Sequence, residues 1–273
     1  MAHWHRLPRQ GDNSAMDKLA FITGASSGIG QALALHYYQR GWRLALVARR
    51  ASAMQEWAQE QAWPPERYAV YAADVADIAS IVDAGQSCLE QQGLPDVVIA
   101  SAGISAGVDT GEREDIETIA RTFAVNNVGL AATFQPFVKG MAARGTGALV
   151  GIGSVAGIRG LPGHAAYCAS KAAVIGYCES LRGEMRPYGV KVVTICPGYI
   201  DTPLTRSNPY SMPFLMKAQD FAQQAVRAID SGASYRVIPW QMGAVAKLLR
   251  LLPNFIFDRL LVGRPRKPRH TSL

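Results

Sequence analysis

Residues 19–30 read Leu-Ala-Phe-Ile-Thr-Gly-Ala-Ser-Ser-Gly-Ile-Gly, a short apolar run that ends in three glycines. A helix-like segment follows and closes at Gly41, so the order predicts a strand, a tight turn and a helix. Such glycines let the backbone turn sharply and approach a pyrophosphate, which the N–H groups at a helix start would bind. The spacing G-x-x-x-G-x-G departs from the general G-x-G-x-x-G pattern. Alone, it indicates only a strand-to-helix turn.

The same alternation continues along the chain. Apolar runs lie at 19–23, 43–48, 67–72, 96–100, 147–153 and 190–196, and helix-length segments lie near 29–40, 51–61, 76–92, 114–143 and 165–187. This pattern predicts a doubly wound, Rossmann-like α/β fold with a parallel sheet, in which ligands bind beyond the carboxyl ends of the strands. A helix near 219–230 and a last strand at 235–239 complete one expected domain, residues 18–239.

A hydroxyl, a phenol and an ammonium follow the fifth apolar run. Ser154 comes directly after that run, and Tyr167 and Lys171 stand four residues apart in the next predicted helix. Residues four apart share one helix face. A nearby cation favours the phenolate, so we expect Lys171 to lower the pKa of Tyr167 towards the range useful for proton transfer. A Tyr-x-x-x-Lys pair by itself is often a surface coincidence.

Several motifs in order give the chain a family resemblance, from about Lys18 to Pro203 and more loosely to about Pro239. Besides the Ser/Tyr/Lys set, they are Thr23–Gly30, Asn126-Asn127-Val128-Gly129 and Pro197-Gly198-Tyr199-Ile200-Asp201-Thr202. The chain resembles the short-chain dehydrogenases/reductases. Where that family usually has Asn-Ala-Gly after the fourth strand, this sequence has Ser101-Ala102-Gly103, and we expect altered support of the sheet centre there.

The resemblance implies a carbonyl–alcohol reaction with a nicotinamide cofactor. In this reading Tyr167 donates a proton to the carbonyl oxygen, Ser154 holds that oxygen, and Lys171 tunes the phenol and binds the ribose. Asn126 bends its helix and holds a water in a proton relay from Lys171. No metal site is expected.

The cofactor is expected to be NADP rather than NAD. A free ribose 2′-hydroxyl favours an acidic partner after the second strand, and a 2′-phosphate favours a cation. The acidic position holds Ala48, and Arg49 follows it. Arg50 is interpreted as a solvated neighbour. The expected cofactor-binding residues are Gly24, Ser26, Ser27, Gly28, Ile29, Gly30, Arg49, Asp74, Val75, Ser101, Ala102, Gly103, Tyr167, Lys171, Pro197, Gly198, Ile200 and Thr202.

Asp74 has two compatible roles. The resemblance implies that its side chain bonds the adenine, with the Val75 backbone beside it. Alternatively, Asp74 caps the following helix. The resemblance also implies that Ile200 and Thr202 meet the nicotinamide carboxamide.

A substrate lid is expected near 203–218, by the same resemblance. Its core, Arg206 to Met216, contains two prolines, Tyr210, Phe214 and two methionines, which favours an apolar or elongated substrate. An oligomer contact is the competing interpretation.

Residues 240–273 form an expected amphipathic helical extension, broken at Pro253, with a basic tail. The net charge is +7, and five of the cations fall after residue 258 without an acid among them. The body is nearly neutral, so nucleic-acid binding is not expected. The tail could meet an anionic membrane surface, cover the substrate site or contact another subunit.

Composition also bears on whether the protein spans a membrane, is secreted, or is held together by disulfides or metal. There is no apolar run of about eighteen residues and no apolar signal core in the first residues. Residues 1–17 are expected to be a disordered extension, with translation starting at Met1 or Met16. The four cysteines show no C-x-x-C spacing, so we expect reduced packing residues in a cytoplasmic protein. The resemblance implies a dimer or tetramer through the helices near 114–143 and 165–187.

The sequence therefore predicts an NADP(H)-dependent oxidoreductase that interconverts a carbonyl and an alcohol on an apolar or lipid-like substrate. Two alternatives remain. One is a redox-neutral member of the family, such as an epimerase or a dehydratase. The other is a non-catalytic regulator that binds NADP(H).

Overall fold

The structure is a computed structural model that describes residues 18–263 and 265–269. The predicted N-terminal extension, residues 1–17, lies outside the described residues.

Seven parallel strands form the central sheet, in the order β3-β2-β1-β4-β5-β6-β9. The sheet strands are β1 (Leu19–Thr23), β2 (Arg43–Ala48), β3 (Tyr68–Ala72), β4 (Val97–Ala100), β5 (Ala148–Ile152), β6 (Lys191–Pro197) and β9 (Tyr235–Ile238). Two short strands, β7 (Ile200–Asp201) and β8 (Met216–Lys217), pair with each other. The order reverses between β1 and β4, where doubly wound folds bind their ligands. The predicted α/β fold is confirmed.

Helices cover both faces of the sheet. They are α1 (Gly28–Gln39), α2 (Ala51–Glu60), α3 (Ile78–Gln91), α4 (Arg113–Phe123), α5 (Gly129–Arg144), α6 (Ala165–Met185), α7 (Pro203–Arg206), α8 (Ala218–Asp230), α9 (Trp240–Leu251) and α10 (Asn254–Leu261). The segment predicted as one helix near 114–143 is divided, because a π-helical turn, Ala124–Val128, separates α4 from α5.

The core consists of two apolar layers, one on each face of the sheet. Ile22 and Leu46 pack in the layer that includes α1 and α8. Phe21 and Phe137 pack in the other, with their ring centroids 4.8 Å apart. Strands buried on both faces explain why β1 and β2 read as continuous apolar runs. The rigid sheet fixes the loops at its carboxyl edge.

The C-terminal extension is helical, with Pro253 between α9 and α10. After α10, residues 265–269 return to the body of the protein, where Arg269 forms a parallel bridge with Gly107 in the loop after β4. The basic tail is therefore packed against the domain over these residues.

Candidate active site

The glycine loop after β1 packs closely against other backbone segments. Gly24 has φ +66°, and a Cβ there would lie 2.8 Å from the backbone of Ala102. A Cβ at Gly30 would lie 2.3 Å from the Gly24 carbonyl oxygen. Only glycine lets the start of α1 come this close to β1. The loop consequently brings the N-terminal end of α1 against the loop that follows β4.

A cleft of about 450 Å³ lies at this carboxyl edge of the sheet. Thirteen of the residues predicted to bind the cofactor line it: Gly24, Ser26, Ser27, Gly28, Ile29, Gly30, Arg49, Asp74, Val75, Ser101, Ala102, Gly103 and Thr202. The glycine cradle, the free start of α1 and the residues at the ends of β1, β2, β3 and β4 that line the cleft fit a dinucleotide. The remaining predicted residues lie next to it, in a smaller pocket.

Arg49 is exposed at the end of the cleft formed by β2 and β3. Sequence reasoning missed a second cation there, Arg121 of α4, which also lines the cleft. Its guanidinium lies 3.0 Å from a carboxylate oxygen of Asp74. No local pattern marks Arg121, because it reaches the cleft from a helix 47 residues further along the chain.

Asp74 does not cap the next helix. Its other carboxylate oxygen accepts a hydrogen bond from the Ala76 N–H at 3.0 Å. The N-cap of α3 is Asp77, whose side chain accepts from the Ser80 N–H. The capping alternative thus belongs to Asp77, and Asp74 shapes the turn before it.

Three of the four catalytic residues predicted from the sequence meet in a pocket of about 80 Å³ beside the large cleft. Ser154, Tyr167 and Lys171 line it. Pro197, Gly198, Ile200 and Thr202 also line it, as do Ile29, Ser101 and Gly103. Several of these residues line the large cleft as well. A ligand that fills the cleft can therefore reach the hydroxyl, phenol and ammonium groups.

The Ser154 hydroxyl and the Tyr167 phenol line the same pocket, and Ser154 Oγ accepts a hydrogen bond from the Ala156 N–H at 3.1 Å. Lys171 is buried, and its Nζ donates to the Ile152 carbonyl at 2.8 Å. The same Nζ lies 5.8 Å from the centroid of the Tyr167 ring. A hydroxyl beside a phenol, with an ammonium within reach, can bind a carbonyl oxygen and deliver a proton to it.

The expected pKa of Tyr167 is corrected by the structure. Burial raises the pKa of Tyr167 to about 12, and the neighbouring Ser154 hydroxyl only partly opposes this. Burial also lowers the pKa of Lys171 to about 8. Desolvation of both side chains outweighs the attraction between ammonium and phenolate that the spacing suggested. The phenol is therefore a stable proton donor near neutral pH.

Asn126 lies in the π-helical turn and is buried. Its Oδ1 accepts from the Ile104 N–H at 2.9 Å, and its Nδ2 donates to the Ile104 carbonyl and to Ser170 Oγ. A Cβ at Gly103 would lie 3.2 Å from Asn126 Oδ1 and 3.4 Å from Lys171 Nζ. Asn126 thus fixes the loop after β4 and lies close to Lys171, although it lines neither cavity. Its proposed role with a water stays a prediction.

Sequence reasoning placed Tyr210 in the lid but missed its pairing with His164. Buried His164 precedes α6, and its Nε2 lies 3.1 Å from the Tyr210 hydroxyl of the lid. Its Nδ1 lies 3.1 Å from the Pro162 carbonyl oxygen. Burial lowers the pKa of His164. Nothing in the sequence pairs residues 46 positions apart across a proline-rich segment.

Arg159 holds the C-terminal helices to the loop after Ser154. Its guanidinium donates to the carbonyls of Leu249 and Leu252, and it lies 3.8 Å from the Phe257 ring centroid. A cation over a ring face is attracted by the ring quadrupole. The turn between α9 and α10 therefore packs beside the candidate active site.

The four cysteines are free and buried, as expected for packing residues. They are Cys88, Cys168, Cys178 and Cys196. Burial raises the pKa of each thiol. Within residues 18–263 and 265–269, no helix is long and apolar enough to span a membrane.

The sheet topology, the glycine cradle and the Ser/Tyr/Lys centre define a dinucleotide-dependent oxidoreductase fold. The sequence model described as short chain dehydrogenase matches residues 18–211. The chain therefore belongs to the short-chain dehydrogenase family, whose members use NAD or NADP.

Individual proteins agree with this assignment. The chain is 35% identical over 241 residues to an uncharacterized oxidoreductase of Myxococcus xanthus, an alignment that covers 88% of this chain and 95% of the relative. It is 33% identical over 195 residues to 2-(R)-hydroxypropyl-CoM dehydrogenase of Xanthobacter autotrophicus, covering 70% and 78%. A short-chain dehydrogenase structure from Streptomyces avermitilis superposes with a TM-score of 0.72 at 22% identity, covering 84% and 92%. The last similarity concerns the fold alone.

Proposed function

We propose that the protein is an NADP(H)-dependent oxidoreductase that interconverts a carbonyl and an alcohol on an apolar or lipid-like substrate. The observation that carries this proposal is the pocket lined by the Ser154 hydroxyl, the Tyr167 phenol and the Lys171 ammonium together. The pocket opens beside a cleft of dinucleotide size. A protein that only sensed the nucleotide would not need this proton-transfer set.

The bound nicotinamide would supply the hydride. Tyr167 donates its proton to the carbonyl oxygen in reduction, since its raised pKa keeps the phenol protonated near neutrality. Ser154 holds the same oxygen, and Lys171 binds the ribose and helps to return a proton to Tyr167. Asn126 supports this path through its position beside Gly103 and Lys171.

Preference for NADP rests on charge at the adenosine end of the cleft. Arg49 follows Ala48 at the end of β2, where NAD would favour a carboxylate. The guanidinium can form a charge-assisted bond with a 2′-phosphate. Arg121 lines the same cleft, but its guanidinium is paired with Asp74, so the proposal rests on Arg49.

The apolar substrate class is supported by the lid. Leu204 lines both cavities, and Phe214 and Leu215 are exposed. The Tyr210 hydroxyl is already bound to His164, so the exposed Phe214 and Leu215 are the part of the lid that favours a carbon-rich substrate. We therefore place long apolar carbonyls ahead of small polar ones.

The protein is further proposed to be a cytoplasmic homo-oligomer, a dimer or tetramer through α4, α5 and α6. Peripheral membrane contact is proposed for the extension, because half of the sixteen exposed large apolar side chains of the described residues lie between Trp240 and Val262. Leu251 is 81% exposed and Phe255 is 75% exposed. Lys247, Arg250 and Arg259 lie among them, which favours an anionic surface.

The function is tested by NADPH oxidation with aldehydes and ketones graded from small and polar to long and apolar. Tyr167→Phe should lose about 10²- to 10⁴-fold in turnover, as expected when a general acid is removed, while NADPH binding stays within about twofold because the ring is kept. Turnover retained by Tyr167→Phe would refute its role. If the wild type binds NADPH tightly but oxidises it with none of these substrates, a redox-neutral enzyme or a regulator is favoured.

A further inference from the structure

The segment of residues 265–269 packs along the loop that follows β4. The Gly107 N–H donates to the Pro268 carbonyl at 3.1 Å. A Cβ at Gly107 would lie 2.1 Å from the Lys267 carbonyl oxygen. The approach is so close that residue 107 must be a glycine, which shows that this contact is specific to the sequence.

Arg269 fixes the far end of the segment to the start of α4. Its Nε lies 2.8 Å from Asp115 Oδ2, and a second nitrogen lies 3.7 Å from Glu112 Oε2. Asp115 is buried and also accepts a hydrogen bond from the Asp109 N–H. That hydrogen bond and Arg269 hold the pKa of Asp115 below its usual range. The segment is therefore anchored on both sides of Lys267.

Lys267 is buried at the centre of this segment. Its Nζ donates to Ser105 Oγ at 3.0 Å and to the Leu204 carbonyl at 3.3 Å. Both acceptors are neutral, and burial lowers the pKa of the ammonium. Burying a cation with neutral partners is costly, so these two hydrogen bonds do not serve fold stability in an obvious way.

The two acceptors belong to opposite walls of the candidate active site. Ser105 lies in the same loop as Ser101 and Gly103, which line both cavities, and Leu204 of α7 itself lines both from the other side. The hydrogen bonds of Thr205 hold α7 to Ile200 on its own side of the cleft. Lys267 instead joins the start of α7 to the opposite loop.

We propose that Lys267 is a positioning residue, whose ammonium sets the separation of Leu204 and Ser105 and thereby the width of the nucleotide cleft and the catalytic pocket. The part of this inference that concerns NADPH rests on the function proposed above. The part that concerns the wall itself does not.

The matched substitution is Lys267→Met, which keeps the length of the side chain and removes the donors. Amide hydrogen exchange at Thr205 and Arg206 in the protein without nucleotide should become about three- to tenfold faster, the factor associated with loss of one hydrogen bond. NADPH titration should show Kd raised by about the same factor. The melting temperature should stay equal or rise, because an apolar side chain replaces a buried charge.

Arg266→Met is the control, since Arg266 is an exposed cation of the same segment. Arg266→Met should change neither the amide exchange at Thr205 and Arg206 nor the Kd for NADPH. Ser105→Ala removes one of the two acceptors of Lys267. It should also speed amide exchange at Thr205 and Arg206 and raise the Kd for NADPH, each by a smaller factor. This variant tests the inference if Lys267→Met does not fold.

A folded Lys267→Met variant with wild-type exchange at Thr205 and Arg206 would overturn the inference, whatever its melting temperature. Faster exchange would support it even if wild-type protein failed to bind NADPH. In that case the cofactor proposal alone would be lost.

Discussion

The two walls of the cleft are held in place by different means. On the α1 side, the contacts are between backbone segments, and Gly24 and Gly30 leave no room for a side chain. On the α7 side, the wall depends on side chains from far along the chain, including Tyr210 bound to His164 and Lys267 bound to Leu204. The first wall is fixed by local sequence, whereas the second is adjustable by single substitutions that leave the sheet intact.

Gly30→Ala should have the largest effect and would show whether the backbone wall is as rigid as its contacts indicate. The new Cβ would lie 2.3 Å from the Gly24 carbonyl oxygen, so either β1 or α1 must move. We expect NADPH affinity to fall by about 100-fold or more, as for a misplaced binding group, measured by fluorescence titration.

Gly183→Ala is the matched control, because a Cβ at that exposed helical glycine would meet nothing within 4 Å. It should stabilise the protein by up to about 1 kcal/mol through helix propensity. Equal NADPH affinities of the two variants would contradict the rigid-wall interpretation.

Lys171→Met tests the buried pair that lies between the walls. We expect turnover to fall by about 100-fold or more, since proton transfer is impaired, while stability at pH 7 rises by about 2 kcal/mol. The increase reflects removal of a buried charge whose pKa is near 8 rather than 10.5, reduced by loss of the hydrogen bond to Ile152.

The lowered pKa of Lys171 also makes the stability difference between Lys171→Met and the wild type depend on pH. Between pH 8 and 10.5 the unfolded wild-type chain binds more protons at Lys171 than the folded protein does. Wild-type stability therefore rises with pH in this window, and the advantage of Lys171→Met should shrink. Urea unfolding of both proteins from pH 7 to 10.5 measures the difference in their free energies of unfolding. A difference that does not change with pH would contradict the lowered pKa of Lys171.

Arg49→Gln should have an intermediate effect on NADPH affinity, because Arg49 lies at the adenosine end of the cleft, after β2. We expect NADPH affinity to fall by about tenfold and NADH affinity to stay unchanged, because only NADPH carries the 2′-phosphate. Arg50→Gln changes the exposed neighbour and should alter neither affinity. Equal losses for both cofactors would place Arg49 outside the phosphate site.

Membrane contact should give the smallest effect and concerns helices α9 and α10, which Arg159 holds beside the loop after Ser154. Replacing Leu251 and Phe255 by Glu should lower co-sedimentation with vesicles of mixed phosphatidylcholine and phosphatidylserine by about threefold or more, because two apolar side chains no longer insert. Unchanged recovery in the supernatant would exclude this surface. The NADPH affinity should remain that of the wild type.

The α1 wall and the order of strands and helices were predictable from the sequence, because their signals are local. Apolar runs, glycine positions and the spacing of Tyr167 and Lys171 are all read within one or two elements. Arg121, His164 and Lys267 were not predictable as site residues, since each reaches its partner from a distant element. The direction of the Tyr167 pKa shift was wrong because spacing reports proximity but not burial.

The reach of Lys267 has a consequence for how the polypeptide is made. Lys267 follows Ser105 by 162 residues, so at ordinary translation speeds it is synthesised roughly ten to thirty seconds later. The backbone contacts of the loop after β1 can form before Lys267 is synthesised, whereas the Lys267 bond to Leu204 can form only afterwards. A nascent chain would therefore hold a formed glycine loop well before Lys267 closes the opposite wall.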